Sequence, residues 1–340
     1  MAVIVVPPGI DWNWMKQRPQ QLMERLAAHG HVVCYCDRTR SAGAAEPVAE
    51  RIAPRLYRIR HHERWLAELW PSFRRQRQDP VIVWCCTPAD PPAQLRERYR
   101  PDFIVYDCAD DVPEWYPREQ PLAAEADLIV CSSERLLERW SRSFPGKPVR
   151  LVRNGYDPRM GLHLPPGEDD EIPPAEANGK RLIGYVGAWA PWIDAALLCE
   201  VARLPNAEVI VIGPEFGRKY SGGGVRFLGM MPHDRLAGWI RRLSVCLVPF
   251  HMTPIALAAD PIKAYEYLAA GKPVVATDLP ECRRMRPHVD VAANRREFVR
   301  AVARRLDDPG DEAARRTFAL NSTWDRRGAD ADAVLRSLSL

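Results

Sequence analysis

The chain has little lysine. Of its 48 basic residues only Lys16, Lys147, Lys180, Lys219, Lys263 and Lys272 are lysines, and the net charge is a mild +4 with acidic residues spread throughout. A nucleic-acid partner needs a stronger basic field than that. No apolar run approaches the roughly 18 residues that cross a bilayer. The opening MAVIVVPPGI has no basic n-region and moves directly into strand-like residues, so it reads as the first strand of a fold and not as a signal peptide. The expectation is a cytoplasmic chain. There is no CxxC pair, and nine cysteines is an odd number. Most of them (Cys34, Cys36, Cys85, Cys86, Cys131, Cys246) lie in apolar runs, as buried free thiols in a reducing compartment do. Cys34 and Cys36 have no second ligand pair nearby, so no metal is expected. The turn after the first strand lacks G-x-G-x-x-G, which argues against a dinucleotide site of that type there.

What the chain does have is repetition. Its 340 residues, 46% of them hydrophobic, suggest two domains with sizeable cores. Ala2 to Val6 reads as a strand, Lys16 to His29 as a helix ended by Gly30, and His31 to Cys36 as the next strand. That βαβ unit implies a parallel sheet. Further strands are expected at 56–60, 81–86, 103–106, 128–132 and 149–153. The loop after the first strand carries Asp11, Trp12, Asn13, Trp14 and Arg18. Rings beside polar groups there suit sugar or phosphate contacts, or the tryptophans plug the loop onto the sheet. The stretch RWLAELWPSFRRQRQ mixes tryptophans with arginines, which leaves open an anionic membrane surface or a solvated basic face. Pro71 breaks a continuous amphipathic helix and favours the second. Asp107, Asp110 and Asp111 follow a strand, where ligands bind in parallel sheets. Catalysis and helix capping are the competing roles. Residues 165–179, rich in proline, glycine and acid, read as a linker, and the strand at 182–186 with Gly187 at its turn restarts the pattern. Strands at 208–212, 225–228, 245–249 and 289–292 and helices at 194–204, 235–243 and 296–306 follow.

The most informative stretch is DPIKAYEYLAAGKPVVAT, from Asp260 to Thr277. Asp260 suits an N-cap and Pro261 the first helical position. Gly271 suits the position past the helix end, Pro273 stops continuation, and 274–276 form a buried strand. Lys263 and Glu266 share a helix face, with Ile262, Tyr265 and Ala269 on another.

These residues resemble the GT-B glycosyltransferases of the large GT4-like group, in particular the bacterial cell-wall or exopolysaccharide type such as teichuronic acid biosynthesis glycosyltransferases. The segments that carry the resemblance are MKQRPQQLMERLAAHGHVVCYC, YDCADD, RNGYD, LIGYVGAWAPWID, FLGMMPHDRL and, most specifically, DPIKAYEYLAAGKPVVAT. The implied fold is α/β, GT-B, with two Rossmann-like parallel-sheet domains facing across a cleft. Residues 1–164 would be the acceptor domain, with helix 324–340 packing back on it; 165–179 the linker; and 180–323 the donor domain. The implied activity is transfer of a sugar from a nucleotide-diphosphate sugar to a glycan, lipid-linked or small-molecule acceptor, retaining and metal-independent, in cell-surface polysaccharide, glycolipid or secondary-metabolite synthesis. No cofactor is expected. The site is expected in the cytoplasm, with peripheral contact at the inner face of the membrane left open.

Glu266 would hold the ribose, since a carboxylate accepts from both hydroxyls of a diol. Lys263 and the free N–H groups of the helix start, from Ile262 on, would hold the diphosphate, with Pro261 beside them. Gly187, Met231 and His233 would complete the nucleotide site. Asp107 and Asp110 are candidates for acceptor activation or sugar positioning, with Trp14 and Arg18 on the acceptor side. Two departures matter. Ala258 replaces the first glutamate of the family's E-x7-E motif, and the usual Arg and Lys after the second-domain first strand are missing (Ala188, Trp189, Pro191 and Trp192 stand there). Asp330-Ala-Asp332 matches the D-x-D pattern of a different glycosyltransferase fold by chance, and no metal site is expected. The alternatives are a GT-B-fold sugar-nucleotide epimerase and a non-catalytic sugar-nucleotide-binding protein.

Overall fold

The computed structural model describes residues 1–39, 47–166, 179–216 and 223–338. It divides into two compact units, Met1–Arg153 with Trp324–Leu340, and Asn154–Thr323. The first is built on eight strands: β1 (Val3–Val6), β2 (Val32–Cys36), β3 (Ala49–Ala53), β4 (Leu56–Ile59), β5 (Val81–Cys85), β6 (Phe103–Cys108), β7 (Leu128–Cys131) and β8 (Val149–Leu151). Their order is β3-β4-β2-β1-β5-β6-β7-β8, parallel except for β3 against β4. β1, β2, β5 and β7 are buried along their whole length, which explains why they read as unbroken apolar runs.

The second unit has β9 (Arg181–Val186), β10 (Ala207–Ile212), β11 (Val225–Gly229), β12 (Val245–Val248), β13 (Val274–Thr277) and β14 (Val289–Ala292), ordered β11-β10-β9-β12-β13-β14 and wholly parallel. In both sheets the first strand sits inside and the order reverses beside it, at β1 and at β9. The turn beyond the C-terminal end of such a strand is where doubly wound sheets take ligands.

The division falls between Arg153 and Asn154, not at 164, because Tyr156 and Leu162 are buried in the core of the second unit. Of the expected linker 165–179, residues 167–178 lie outside the described residues. The last helix, Trp324–Arg336, belongs to the first unit and packs on helix Arg18–Ala28. Asp325 accepts from Arg25 Nε at 3.2 Å, and Asp332 pairs with His31 Nε2 at 2.9 Å. His31 Nδ1 accepts the Ala2 N–H, so Nε2 carries the ring proton and donates to Asp332. Asp332 is thus a structural acceptor and not half of a metal motif. Among the described residues no group of His, Cys, Asp or Glu is arranged to hold a metal ion. The cysteines are free thiols, most of them buried.

Two local expectations change. The aromatic-basic stretch is helical through Pro71, which sits in the first turn of Trp70–Gln76 where its missing N–H costs nothing. Trp65 and Trp70 are buried against each other with ring centroids 4.9 Å apart. They are core residues, so they do not serve as membrane anchors; Arg74 faces outward and pairs with Asp102 at 3.0 Å. Among the described residues no helix is long and apolar enough to cross a membrane. The N-cap of helix Ile262–Ala269 is Pro261, and Asp260 does not cap it. The helix ends as expected: Gly271 adopts φ +72°, Lys272 N–H donates to Tyr267 O and Gly271 N–H to Leu268 O.

Helices Pro92–Tyr99, Tyr116–Glu125, Pro254–Ala258, Pro280–Arg284 and Glu312–Leu320, and strand β3, had no expectation.

Arg18 and Asp107 form an ion pair in the first unit, with side chains 3% and 1% exposed. Asp107→Ala leaves that guanidinium buried without its carboxylate and is expected to cost about 3–5 kcal/mol. Urea unfolding followed by tryptophan fluorescence checks it. An unchanged midpoint with lost activity would instead make Asp107 a reacting group.

Candidate functional site

The second unit's site grows from the start of helix Ile262–Ala269. Asp260, just before it, is 4% exposed, and a buried carboxylate must be satisfied. Its Oδ2 accepts the Asn154 N–H at 2.7 Å, its Oδ1 accepts the Tyr265 hydroxyl at 2.9 Å, and its carbonyl accepts Asn154 Nδ2 at 2.6 Å. The carboxylate is therefore turned away from the helix N–H groups, and no side chain caps them. The competition with phosphate that an Asp260 cap would cause does not arise. One turn further on, Tyr267 Oη accepts the Val186 N–H at 2.7 Å and binds the helix to the end of β9.

Lys263 and Glu266 are both half-buried. Among the described residues no hydrogen bond or ion pair engages the Lys263 ammonium or the Glu266 carboxylate. Lys263 Nζ lies 5.2 Å from the Tyr185 ring centroid and 5.1 Å from that of Phe250. Loss of water on burial pushes Lys263 down to about 8, with Glu266 pulling the other way. Burial raises Glu266 to about 7; Lys263 opposes this and Asp157 adds to it. Gly187, the first residue past β9, has φ +147°, and a Cβ there would lie 2.8 Å from Lys263 Cε and 2.9 Å from the Tyr185 hydroxyl. Only glycine lets the backbone come this close to the lysine. An ammonium, a carboxylate and free helix N–H groups at a strand-end turn can take an anion beside a diol.

The other expected residues divide. Pro261 is the N-cap and is buried; Ile262, the first helical residue, is half-buried. Met231 is half-buried and packs on the unit's core. His233 opens helix His233–Arg242, and its side chain lies outside the described residues. Phe227 is taken up by Trp189, edge to face at 4.9 Å.

In the first unit the acidic element splits into three roles. Asp107 is fully engaged: Arg18 Nε and Nη2 donate to Oδ1 at 3.0 and 2.8 Å, and Trp84 Nε1 donates to Oδ2 at 3.2 Å. Arg18 Nη1 donates to Val152 O at 2.7 Å. The two expected site residues are thus paired in the interior, and neither offers a free group to an acceptor. Asp111 accepts from Tyr116 Oη and Arg139 Nη1 at 2.7 and 2.8 Å. Asp110 differs. It is half-buried, its carboxylate takes no hydrogen bond among the described residues, and burial raises its pKa while Arg18 opposes this and Asp107 reinforces it. Trp14 is 43% exposed, whereas Trp12 sits edge-on to Tyr35 at 5.1 Å and plugs the loop.

Tyr185, Phe250, Asn154 and Asp157 were not singled out by the sequence. Tyr185 read as a strand residue and Phe250 fell just past the strand expected at 245–249. The only signal for Asn154 was its place in RNGYD.

Residues 180–308 match the family described as Glycosyl transferases group 1. A putative teichuronic acid biosynthesis glycosyltransferase TuaH of Bacillus subtilis (strain 168) is 25% identical over 296 residues, covering 76% of this chain and 72% of that protein. The fold is similar to sucrose-phosphate synthase (tll1590) from Thermosynechococcus elongatus, with TM-score 0.75 and 17% identity over 99% of this chain and 98% of that one. It is also similar to Anabaena Alr3699/HepE, solved in complex with UDP and glucose, with TM-score 0.69 and 14% identity over 99% and 100% of the two chains. With a group 1 domain over 180–308 and this architecture in both units, the chain is a glycosyltransferase of the GT-B fold.

Proposed function

We propose that this glycosyltransferase moves a sugar from a nucleotide-diphosphate sugar to the hydroxyl of a glycan or lipid-linked acceptor in cell-surface polysaccharide synthesis. The observation that carries the reading is the Lys263–Glu266 pair: two half-buried charged side chains on one helix face, neither held by a hydrogen bond among the described residues. Glu266 accepts from the ribose diol. Lys263 and the N–H groups of the first helical turn, from Ile262 onward, hold the diphosphate, with Pro261 beside it, and Gly187 lets it approach the β9 turn. Met231 and His233 stand on the nucleotide side. The polysaccharide assignment draws on the 25% identical relative, and UDP as donor nucleotide on the HepE complex.

In the reaction the C1–O bond to the diphosphate breaks, the acceptor oxygen bonds to C1, and the acceptor proton is released. Negative charge grows on the leaving diphosphate, and Lys263 faces it there. That lysine carries the cationic role a metal ion takes elsewhere, so turnover is expected to survive EDTA. Asp110, with its raised pKa and unengaged carboxylate, takes or orients the acceptor hydroxyl proton, and Trp14 offers a face for a sugar ring. Retention at the anomeric carbon is part of the reading, and proton NMR of the product anomer tests it. We place the reaction in the cytoplasm.

Thermal-shift screening against UDP-, GDP- and dTDP-sugars tests the donor class; no stabilisation by any of them would sink the reading. Glu266→Ala removes charge-assisted hydrogen bonds and is expected to weaken nucleotide affinity by about 10–100-fold in titration calorimetry. Asp110→Asn is expected to slow transfer by about 10²–10⁴-fold with donor affinity intact; a matching loss of affinity would place Asp110 elsewhere.

Nucleotide-sugar affinity should also be bell-shaped in pH. Below about 7 Glu266 is protonated and cannot accept from both hydroxyls; above about 8 Lys263 is neutral. Affinity then peaks between those values and falls on both sides, and a flat profile from pH 6 to 9 would contradict the assignment.

A further inference from the structure

Lys263 does not hang loose from its helix. Its ammonium stands 5.2 and 5.1 Å from two ring centroids, and the rings of Tyr185 and Phe250 meet edge to face at 6.3 Å and 75°. Tyr185 lies on β9 and Phe250 just past β12, and these strands are neighbours in the sheet. Both rings are buried, at 1% and 6% exposure. Each is fixed without the lysine: the Tyr185 hydroxyl donates to Ala188 O at 3.0 Å, and the Phe250 N–H donates to Thr277 Oγ1 at 3.2 Å. The bare Gly187 backbone closes a third side. No carboxylate lies within ion-pair distance of the ammonium among the described residues.

We propose that Tyr185 and Phe250 are positioning residues for Lys263, two rings that aim its ammonium at the β9 turn and favour its charged form without neutralising it. The inference rests on the donor reading above. A carboxylate in their place would fix the ammonium equally well, but an incoming diphosphate would have to displace it. A π face attracts a cation with no anion to displace. The clamp thus holds the cation in place while leaving its charge for the ligand.

The groups that face Lys263 are few. Glu266 on its own helix and the buried thiol of Cys282, on helix Pro280–Arg284, both favour the charged form, against the burial that opposes it. The Tyr185 phenol is itself held neutral, since burial raises its pKa well above the ordinary tyrosine range. A ring removed from this set shifts the balance toward neutral lysine.

The test is direct titration of Lys263 by NMR with lysine-selective carbon-13 labelling; the chain has few lysines and Lys263→Arg assigns the signal. In Phe250→Leu the midpoint should fall by about 0.5–1 pH unit from the wild-type value. Phe250→Tyr and Tyr185→Phe, which keep the rings, should stay at that value. Affinity for inorganic pyrophosphate should be lost at correspondingly lower pH in Phe250→Leu. Should circular dichroism show that this variant does not fold, Phe250→Met replaces it at similar volume. An unchanged or raised midpoint in the ringless variant overturns the clamp. A midpoint that falls in Phe250→Leu while the wild-type protein binds no pyrophosphate overturns the donor reading and leaves the clamp standing.

Discussion

The buried carboxylate of Asp260 sets the geometry of the whole Lys263–Glu266 site. A carboxylate at 4% exposure has to be satisfied. It takes a backbone N–H from Asn154, where the chain enters the second unit, and a hydroxyl from Tyr265, on the helix that follows. Those two bonds fix where the helix begins and how it is turned about its axis. Tyr267 then fastens the same helix to the end of β9. With Tyr265 and Tyr267 both committed inward, the residues at 263 and 266 fall on the remaining face, toward the end of β9. The half-buried position of Lys263 and Glu266 is thus a consequence of helical geometry once the tyrosines are tied down.

The two units answer the same topological opportunity in opposite ways. Each places its first strand beside the point where strand order reverses. In the first unit the charges nearest that region cancel: Arg18 meets Asp107, and Trp84 and Val152 O take up what remains. That arrangement closes the interior and leaves Asp110 as the unengaged carboxylate of the acidic element. In the second unit the charges do not cancel. Lys263 and Glu266 stay apart and half-dry, at a cost visible in the direction of both pKa shifts. Charged groups that are buried and unpaired destabilise a fold, so their persistence marks a site and not a support.

Much of this was legible in the sequence. The alternation of apolar runs with helical stretches announced two parallel sheets, because strands covered on both faces leave continuous Val, Ile and Leu. Gly271 and Pro273 announced the helix end, since the left-handed turn there needs glycine and a proline cannot continue the helix. The roles of Asp107 and Asp260 were misread for one shared reason. An aspartate near a strand end or helix start is written the same way whether its carboxylate reaches solvent, a helix N–H or a distant arginine. The partner of Asp107 lies 89 residues away and that of Asp260 lies 106 away; no local pattern encodes such pairs. Tyr185 and Phe250 were hidden differently. Aromatic residues in or just past strands are expected core, and only the fold brings their faces to one lysine. Trp65 and Trp70 stayed ambiguous for another reason, because aromatic and basic residues interleaved on a helix look alike whether the rings face lipid or protein.

The Lys263–Glu266 pair also explains how such a site can exist without a counter-charge. Each group partly relieves the other, since Lys263 lowers the cost of a charged Glu266 and the reverse holds too. The net charge of the pair is near zero, so the helix face does not repel its own fold. Yet each member ionises within reach of neutral pH, so a modest perturbation tips either one. A diphosphate favours the ammonium, and a diol favours the carboxylate as acceptor. A ligand carrying both groups at the right spacing stabilises the charged form at both positions together. One carrying only a phosphate or only a diol leaves half the cost in place. On the proposed donor reading, discrimination for a nucleotide over free phosphate or free sugar then follows from the linked ionisation of two side chains three residues apart on a helix.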